Sequence, residues 1–321
     1  MIDNLLNPAV LFFVLGLVAG ILKSDLKVPQ ALYESLSLYL LIVIGMKGGV
    51  ELSKTSIQSI GLPVMGALAL GIVIPLVAYA ILKYVGKFSV PDAAAIAAHY
   101  GSVSAVTYAV CLSFLQKMNV PFEGFSAVLL VTMEVPAIVV AIMIARLYRS
   151  KTQALPWGKF FHEVFLSKSI VLLVGGLIIG VVVGDAGMEP VKNVFFDPFK
   201  GLLAFFLLEM GLVASSRIKD LKKVGVFLVL FGIGMPLISA LIGCWIGKFT
   251  GLSVGGTTIL ATLAASASYI AAPAAVRIAI PEANPSYYLT ASLAITFPFN
   301  LTIGLPLYYK WAQWIVGKAG G

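Results

Sequence analysis

Long hydrophobic runs separated by short polar stretches dominate the pattern of this chain. Each run approaches the ~20 residues that an α-helix needs to cross the hydrocarbon core of a bilayer. The pattern therefore predicts ten membrane spans, and lysine, aspartate, asparagine, glycine and proline mark the breaks between many of them. The predicted spans cover residues 7–22, 30–47, 60–83, 92–116, 124–148, 169–184, 199–215, 224–246, 255–280 and 287–315.

The composition supports a membrane setting. Hydrophobic residues make up 60% of the 321 residues and charged residues only 11%, against about a quarter in soluble domains. The net charge of +8 is typical of basic cytoplasmic loops in membrane proteins. Because no cluster of Lys and Arg is interleaved with aromatic residues, nucleic acid is not an expected partner. We expect an all-α membrane protein surrounded by lipid.

The two halves of the chain share a sequence pattern. When residues 71–89 are aligned with residues 232–250, eight of nineteen positions are identical, including a Gly-Lys-Phe run in register with a proline. Shared membrane composition does not readily produce such a match, so the pattern indicates a duplication. It divides the chain into a first five-helix repeat at 1–150, a linker at 151–168 and a second five-helix repeat at 169–321.

Because each half holds an odd number of spans, the second half must enter the bilayer from the opposite side. This is the 5+5 inverted repeat of many secondary transporters. With ten spans, fourteen Lys and Arg residues fall on the side of the linker and eight on the other side. The positive-inside rule then predicts a multi-pass protein of the inner (plasma) membrane, with a cytoplasmic linker and both termini outside.

Clusters of small and hydroxyl-bearing residues interrupt two spans, at 99–107 and 265–273, in matching places of the two halves. A helix broken at mid-membrane exposes N–H groups that carry about half a positive charge, and two such ends can bind a small anion without a buried Arg. Paired interruptions are typical of transporter sites, although small residues also let helices pack closely. The predicted anion-binding residues are Ser102, Ser104, Thr107, Ser266 and Ser268.

Other polar residues at membrane depth predict a cation site. Glu134 is an ionisable group at a costly depth, and Thr296 and Asn300 lie in the counterpart region of the last span. These residues are candidates for binding Na⁺, although Glu134 could instead carry a proton or bond the helix beside Pro136. Lys47, at the end of the second span, is expected to extend its ammonium group to the membrane interface.

No enzyme is expected from the sequence. The chain has no Gly-x-Ser-x-Gly, His-Glu-x-x-His or phosphate-loop motif. Only two His and two Cys are present, so no metal site is expected beyond one for Na⁺, and no catalytic residue is proposed.

Several motifs resemble those of the cyanobacterial-type sodium-dependent bicarbonate transporter family. They are Ile44-Gly45 with Gly48-Gly49, Gly101-x-Val103-Ser104 with Thr107, Met133-Glu134-Val135-Pro136, Ala264-Ala265-Ser266, and Ile280-Pro281-x-Ala283-Asn284-Pro285-Ser286. The resemblance covers nearly the whole chain. It implies ten spans arranged as a gate part and a core part, Na⁺-coupled uptake of bicarbonate, a homotrimer and, in some members, control by a PII-like protein at the cytoplasmic face.

The chain departs from the family pattern at both interruptions. Val106 is at the position of a serine in the family pattern. Tyr269 is at the position of an aspartate, which in the family pattern follows three serines. These changes leave the Na⁺ stoichiometry and the identity of the anion open. The short loop between the halves also weakens the case for a PII-like regulator.

The leading prediction is a secondary active transporter that couples Na⁺ to the symport of a small anion, with bicarbonate as the first choice. One alternative is a Na⁺-coupled symporter of a small organic carboxylate. Another is a cation/proton antiporter, which would need carboxylates in the interruptions, and this chain has none there. A fourth possibility is a membrane protein that transports nothing and binds a regulator.

Overall fold

The computed structural model describes residues 7–147 and 157–317, and these residues form helices and no β-strands. This confirms the all-α prediction for the described part of the chain. The helices in chain order are α1 Pro8–Ile21, α2 Gln30–Ser53, α3 Ile57–Val85, α4 Val90–Gly101, α5 Ala105–Lys117, α6 Ser126–Glu134, α7 Pro136–Leu147, α8 Trp157–Phe165, α9 Lys168–Phe195, α10 Phe199–Ile218, α11 Leu221–Phe249, α12 Val254–Ala265, α13 Ala271–Ala279 and α14 Pro285–Gly317.

Eight helical stretches of the described residues are long and apolar enough to cross a membrane. They are α2, α3, α4 with α5, α6 with α7, α9, α10, α11 and α14. Helix α1 has 14 residues and α12 has 12; 14 helical residues extend only about 21 Å, less than the ~30 Å hydrocarbon core. The chain is therefore a multi-pass membrane protein, and the count of ten spans stays a prediction.

Small residues hold four helices in two tight pairs, in which α2 packs along α9 and α1 packs along α10. A methyl group at Gly176 of α9 would lie 2.7 Å from the carbonyl oxygen of Ile42 on α2. One at Gly211 of α10 would lie 2.6 Å from the backbone nitrogen of Leu17 on α1. Glycines let the helix backbones approach this closely, as in many membrane helix pairs. We call α1, α2, α9 and α10 the four-helix group.

The other long helices surround α4 and α5. Helices α3 and α7 pack on α4, α12 packs on α5, and α11 and α14 pack on α12. In the apolar 18-residue window of Val90–Lys117, 94% of the residues are buried inside the protein. In the corresponding window of α9, the share is 22%. The segment with the first predicted interruption therefore lies at the centre of the protein, whereas α9 presents most of its surface outward.

The predicted linker at 151–168 contains a helix that its charge pattern does not predict. Residues 151–156 lie outside the described residues, and α8 follows them. On α8, Phe160 and Val164 are buried while Phe161 and Phe165 are exposed, so the aromatic residues lie on both faces of the helix. The predicted repeat boundaries stay a prediction, and the predicted outward positions of the termini concern residues 1–6 and 318–321, which also lie outside the described residues.

Candidate functional site

The first interruption is a break between α4 and α5. Helix α4 ends at Gly101, and Ser104 has an extended backbone, with φ of −114° and ψ of 110°. The Ser104 hydroxyl accepts hydrogen bonds from the Thr107 N–H at 3.1 Å and from the Thr107 hydroxyl at 3.0 Å. This is an N-cap, in which a serine oxygen satisfies a backbone donor that a helix start leaves without a partner. Ser104 therefore sets where α5 begins.

The second interruption separates α12 from α13. The Ser266 hydroxyl donates to the carbonyl oxygen of Leu263 at 2.8 Å, within the last turn of α12. The Ser268 hydroxyl accepts from the N–H of Ala272 at 3.2 Å, in the first turn of α13. Serines of this break therefore satisfy backbone groups at both helix ends, as Ser104 does in the first break.

Direct backbone hydrogen bonds join the two breaks. The Ser104 N–H donates to the Ser266 hydroxyl oxygen at 3.0 Å, and the Ser268 N–H donates to the carbonyl oxygen of His99 at 2.8 Å. All four residues are at most 4% exposed. The start of α5 thus lies against the residues that lead into α13, and positive helix ends from the two halves of the chain meet at one buried place.

Glu134 lies beside the two breaks. Its side chain is buried, and its Oε2 atom has no hydrogen-bond partner among the described residues. Its backbone carbonyl oxygen accepts a hydrogen bond from the Ser102 hydroxyl at 2.9 Å. Together with Ser104, Ser268 and other residues it lines a void of about 10 Å³, the space of about one water molecule. A buried carboxylate oxygen without a partner is costly, so a bound cation or proton would stabilise it.

Tyr269 occupies the position at which the family pattern has an aspartate. Its hydroxyl group lies 3.3 Å from the Ser104 hydroxyl oxygen, and its ring packs edge-on against Phe297 with centroids 5.3 Å apart. The phenol lines the same small void as Glu134. The site therefore contains a neutral hydroxyl group where the family pattern would place a second carboxylate.

The five predicted anion-binding residues are brought together, and no described hydrogen bond joins Thr296 or Asn300 to them. Thr296 donates to the carbonyl oxygen of Gly232 at 2.7 Å and lies 2.7 Å from the Tyr100 hydroxyl. The Asn300 amide donates to the carbonyl oxygen of Ala265 at 2.8 Å. Both side chains thus bond backbone carbonyls, and their predicted role in cation binding stays a prediction. In the described part of the chain, no three His, Cys, Asp or Glu side chains converge as metal ligands would.

A larger cavity of about 560 Å³ lies between the four-helix group and α5, and Lys47 is in its wall. The Lys47 ammonium nitrogen lies 4.5 Å from the ring centroid of Phe199 and 5.3 Å from that of Phe196. Lys47 therefore faces this cavity, held by two rings, and its predicted extension to the membrane interface stays a prediction. The local sequence gives no signal for this, because both rings come from the other half of the chain.

A comparison of the chain with sequence models of protein families gives a match over nearly the whole chain. The model of the Na⁺-dependent bicarbonate transporter superfamily matches residues 8–313, which include both breaks, Glu134 and Lys47. No curated protein matches the chain. The match agrees with the resemblance seen in the motifs, and a transporter family on a helical membrane fold makes this protein a non-enzyme. The chain belongs to the Na⁺-dependent bicarbonate transporter superfamily.

Proposed function

We propose that this protein is a secondary active transporter that couples Na⁺ to the symport of a small anion, with bicarbonate as the preferred substrate. The observation that carries the proposal is the meeting of the two helix breaks, with Ser104 bonded to Ser266 and Ser268 bonded to His99. Two positive helix ends at one buried place suit a single negative charge. Membership of a Na⁺-dependent bicarbonate transporter superfamily supports the same substrate and ion.

The anion would bind between the starts of α5 and α13. In this proposal the Ser104 and Ser268 hydroxyl groups turn from their capping bonds to the anion, while the first N–H groups of the two helices face it. Hydrogen bonds to a charged group stabilise more strongly than those between neutral groups. Ser102, Thr107 and Ser266 complete the wall of the site.

The small volume of the site favours bicarbonate over an organic carboxylate. The void beside Ser104 measures about 10 Å³, and the Tyr269 hydroxyl closes one side of it. The void must open for either anion; a planar anion of four heavy atoms needs the smaller opening, whereas an added alkyl group would have to displace the Tyr269 ring from Phe297. The organic carboxylate symporter is therefore the second candidate.

Glu134 is the proposed coupling residue. When Na⁺ binds beside its carboxylate, the pair becomes neutral, which lowers the cost of a charge in a low-dielectric site. Bicarbonate faces the positive helix ends while Na⁺ faces Glu134, and the two transported ions together carry no net charge. A tenfold Na⁺ gradient supplies about 1.4 kcal/mol per ion, enough for about tenfold accumulation. Thr296 and Asn300 are proposed as further oxygen ligands after rearrangement of their present bonds.

The architecture proposed for this mechanism is a 5+5 inverted repeat with ten spans and two discontinuous helices, α4–α5 and α12–α13. Its support is the pairing of α1 with α10 and of α2 with α9. In each case the first helix of one half packs on the second helix of the other half, as a two-fold axis in the membrane plane would require. Alternating access would then move the four-helix group, as the gate, against the remaining helices, as the core.

The proposal places the protein in the inner (plasma) membrane with both termini outside. The family resemblance adds a homotrimer as the oligomeric state. A PII-like regulator at the cytoplasmic face is the least supported partner, because the loop between the halves is short. The antiporter alternative gains no support, because the breaks themselves contain no carboxylate.

The test is uptake of labelled bicarbonate by proteoliposomes with and without an inward Na⁺ gradient. We expect Na⁺-dependent uptake by the unmodified protein. Ser104→Ala and Ser268→Ala should each lower it about tenfold or more, since a hydrogen bond to a charged group contributes about 1.5–3 kcal/mol. Ser89→Ala is the matched control, because Ser89 caps α4 through the N–H of Asp92 but lies at the other end of that helix.

The control separates transport from folding. Loss of an N-cap costs about 0.5–2 kcal/mol, so both variants should stay folded, with only Ser104→Ala losing uptake, and their thermal unfolding temperatures measure the effect on stability separately. Unchanged uptake in both Ser104→Ala and Ser268→Ala would remove the proposed anion site. Uptake of a labelled monocarboxylate, but not of bicarbonate, would instead support the second candidate.

A further inference from the structure

The proposed anion site does not account for the cavity of about 560 Å³. Its volume lies within the range of ~300–1,000 Å³ that is typical of ligand sites, and it is far larger than the void between the breaks. Its wall combines the C-terminal half of α2, the C-terminal half of α5, the loop before α6 and the start of α10. It lies on the side of the protein for which the sequence predicts fewer Lys and Arg residues, the predicted outside.

Two smaller voids that share lining residues lie between this cavity and the proposed anion site. Ile44 lines the large cavity and also a second void of about 10 Å³. Leu41, Ala105 and Ile270 line this second void together with the void that contains Ser104 and Ser268. Apolar side chains thus narrow the path between the cavity and the site, and the cavity is the wide outer part of that path.

Lys47 lies near the inner end of the cavity, one helical turn after Ile44 on α2. Two aromatic rings hold its ammonium group through cation–π contacts, at 4.5 Å for Phe199 and 5.3 Å for Phe196. Such contacts orient an ammonium group without neutralising its charge. No described salt bridge joins Lys47 to a carboxylate, including that of Asp197 on the same segment as the rings. The charge of Lys47 is therefore available to a ligand.

The acidic residues of the cavity are engaged elsewhere. Glu51 and Asp185 both bind Lys54, at 3.1 and 2.6 Å, and their side chains are 49% and 72% exposed. Hydrogen bonds that Lys54 donates to Asp185 and Glu51 raise the pKa of Lys54, which keeps Lys54 charged. Solvent screens the charges of these exposed groups. Because Lys47 is half-buried, solvent screens its charge less. Lys200, which is exposed, is a second lysine in the wall, and no described salt bridge pairs it with a carboxylate.

We infer that this cavity is an entrance vestibule in which Lys47 binds a small monovalent oxyanion or carboxylate before it passes Ile44 towards the serines. The inference rests on the proposed function for the identity of the transported anion. A positive charge without a paired carboxylate in the wall of a cleft raises the local concentration of an anionic ligand and its rate of binding. Lys47 is thus a positioning residue for uptake, and Lys200 contributes a weaker, exposed charge.

The first experiment measures the charge of the vestibule without any transport. A cysteine is introduced in its wall as Ser113→Cys, and the detergent-purified protein is treated with a negatively charged and a positively charged methanethiosulfonate reagent. The parent protein is the background control, because Cys111 and Cys244 are buried. We expect Lys47→Met to lower the ratio of anionic to cationic modification rates about tenfold, and bicarbonate to slow the anionic reagent only while Lys47 is present.

The second experiment measures bicarbonate uptake as a function of its concentration. Lys47→Met should raise KM about tenfold and leave the maximal rate within about twofold, and Lys47→Arg should restore most of the affinity. The matched control is Lys192→Met, since Lys192 is exposed, pairs with Glu189 at 3.4 Å and is absent from the cavity wall. This variant should change neither the modification ratio nor KM.

The two readouts test the vestibule and the proposed transport function independently. An unchanged modification ratio in Lys47→Met would overturn the inference, whatever the uptake. A lowered ratio with an unchanged KM would overturn the role of the vestibule in uptake. If the ratio falls and bicarbonate protects, but no variant or parent protein takes up bicarbonate, the anion-binding vestibule stands and the proposed function fails.

Discussion

At the scale of single residues, the small number of charged groups in the site sets its charge balance. Glu134 supplies one buried carboxylate next to the two breaks, and Tyr269 supplies a neutral hydroxyl group where the family pattern has an aspartate. One carboxylate neutralises one monovalent cation, so the local charge balance favours a single Na⁺ per bicarbonate. This stoichiometry follows from the proposed function.

Replacement of Glu134 by glutamine tests this charge balance. Glu134→Gln keeps the shape and removes the charge, so Na⁺ loses its only proposed anionic ligand. We expect initial uptake rates to fall about tenfold or more, because bonds to charged groups contribute about 1.5–3 kcal/mol, and the residual uptake to be independent of Na⁺. In the unmodified protein, the rate should rise hyperbolically with Na⁺ concentration.

Glu189→Gln is the control for this substitution. Glu189 is an exposed carboxylate that pairs with Lys192, and its loss should leave the Na⁺ dependence unchanged. A Glu134→Gln variant that still responds to Na⁺ like the unmodified protein would show that the cation binds elsewhere, with Thr296 and Asn300 as the next candidates. A sigmoidal Na⁺ dependence in the unmodified protein would contradict the single-ion balance.

Residue types and positions in the two breaks could be predicted from the sequence, but their partners could not. Clusters of serine and glycine inside apolar runs indicate where a helix loses support, and α4 and α12 do end within the predicted segments. The bond from Ser104 to Ser266 and the rings around Lys47 join residues that are more than a hundred positions apart. No local pattern encodes such pairs, and without an alignment there is no covariation to reveal them.

At the scale of helices, glycines set the distance between paired backbones. Gly176 of α9 faces the backbone of α2, whereas nothing lies within 4 Å of a methyl group placed on its neighbour Gly175. The two adjacent glycines therefore have opposite roles. Gly176 is required by a close crossing, and Gly175 only lowers the helix propensity of α9.

This difference predicts opposite effects of the same substitution. Gly176→Ala would place a methyl group 2.7 Å from the Ile42 carbonyl oxygen and 3.0 Å from the Met46 nitrogen. Because these are backbone atoms, α2 and α9 must separate, at a cost of about 1–3 kcal/mol. Gly175→Ala should leave stability unchanged or raise it by up to about 1 kcal/mol. Thermal unfolding of both variants in the same detergent measures the difference.

Equal unfolding temperatures for the two variants would mean that the close pairing of α2 with α9 does not support the fold. The same pairing also shows what hydropathy alone misses at this scale. Apolar runs predict where helices occur, and α2 begins at the predicted residue, but it continues six residues beyond the predicted end to Ser53. Which face of each helix meets another depends on glycine positions whose partners are distant in the chain.

At the scale of the whole molecule, the arrangement of the halves determines which side each loop faces. The sequence predicts the helical membrane class because composition alone excludes a soluble core, and the described residues confirm it. The count of ten spans requires that α12 with α13 crosses the bilayer and that the short helix α1 crosses it as well. Its 14 residues pack on α10, a helix of full spanning length, which supports a crossing despite the shorter helix.

Cysteine accessibility in intact cells tests this topology. Ser24 lies in the loop between α1 and α2, and Ser56 lies in the loop between α2 and α3; both are exposed. If α2 spans the membrane with the predicted orientation, a membrane-impermeant maleimide should modify Ser56→Cys from outside. It should modify Ser24→Cys only after the cells are permeabilised, because Lys23 and Lys27 hold that loop in the cytoplasm.

A peptide tag before Met1 completes the test, since its sidedness relative to Ser24→Cys reports whether α1 crosses. Because α1 precedes every other span, its crossing decides the side of the N-terminus and whether the first half holds five spans, while the relative direction of the later spans does not depend on it. We expect an outside tag with an inside Ser24→Cys. A tag and a Ser24→Cys on the same side would leave four crossings in the first half. The breaks in α4–α5 and α12–α13 would still run in opposite directions, because the four crossings between them, α6 with α7, α9, α10 and α11, are unaffected by α1. Such a result would therefore remove the outside N-terminus and the tenth span and leave the opposed helix ends of the proposed site in place.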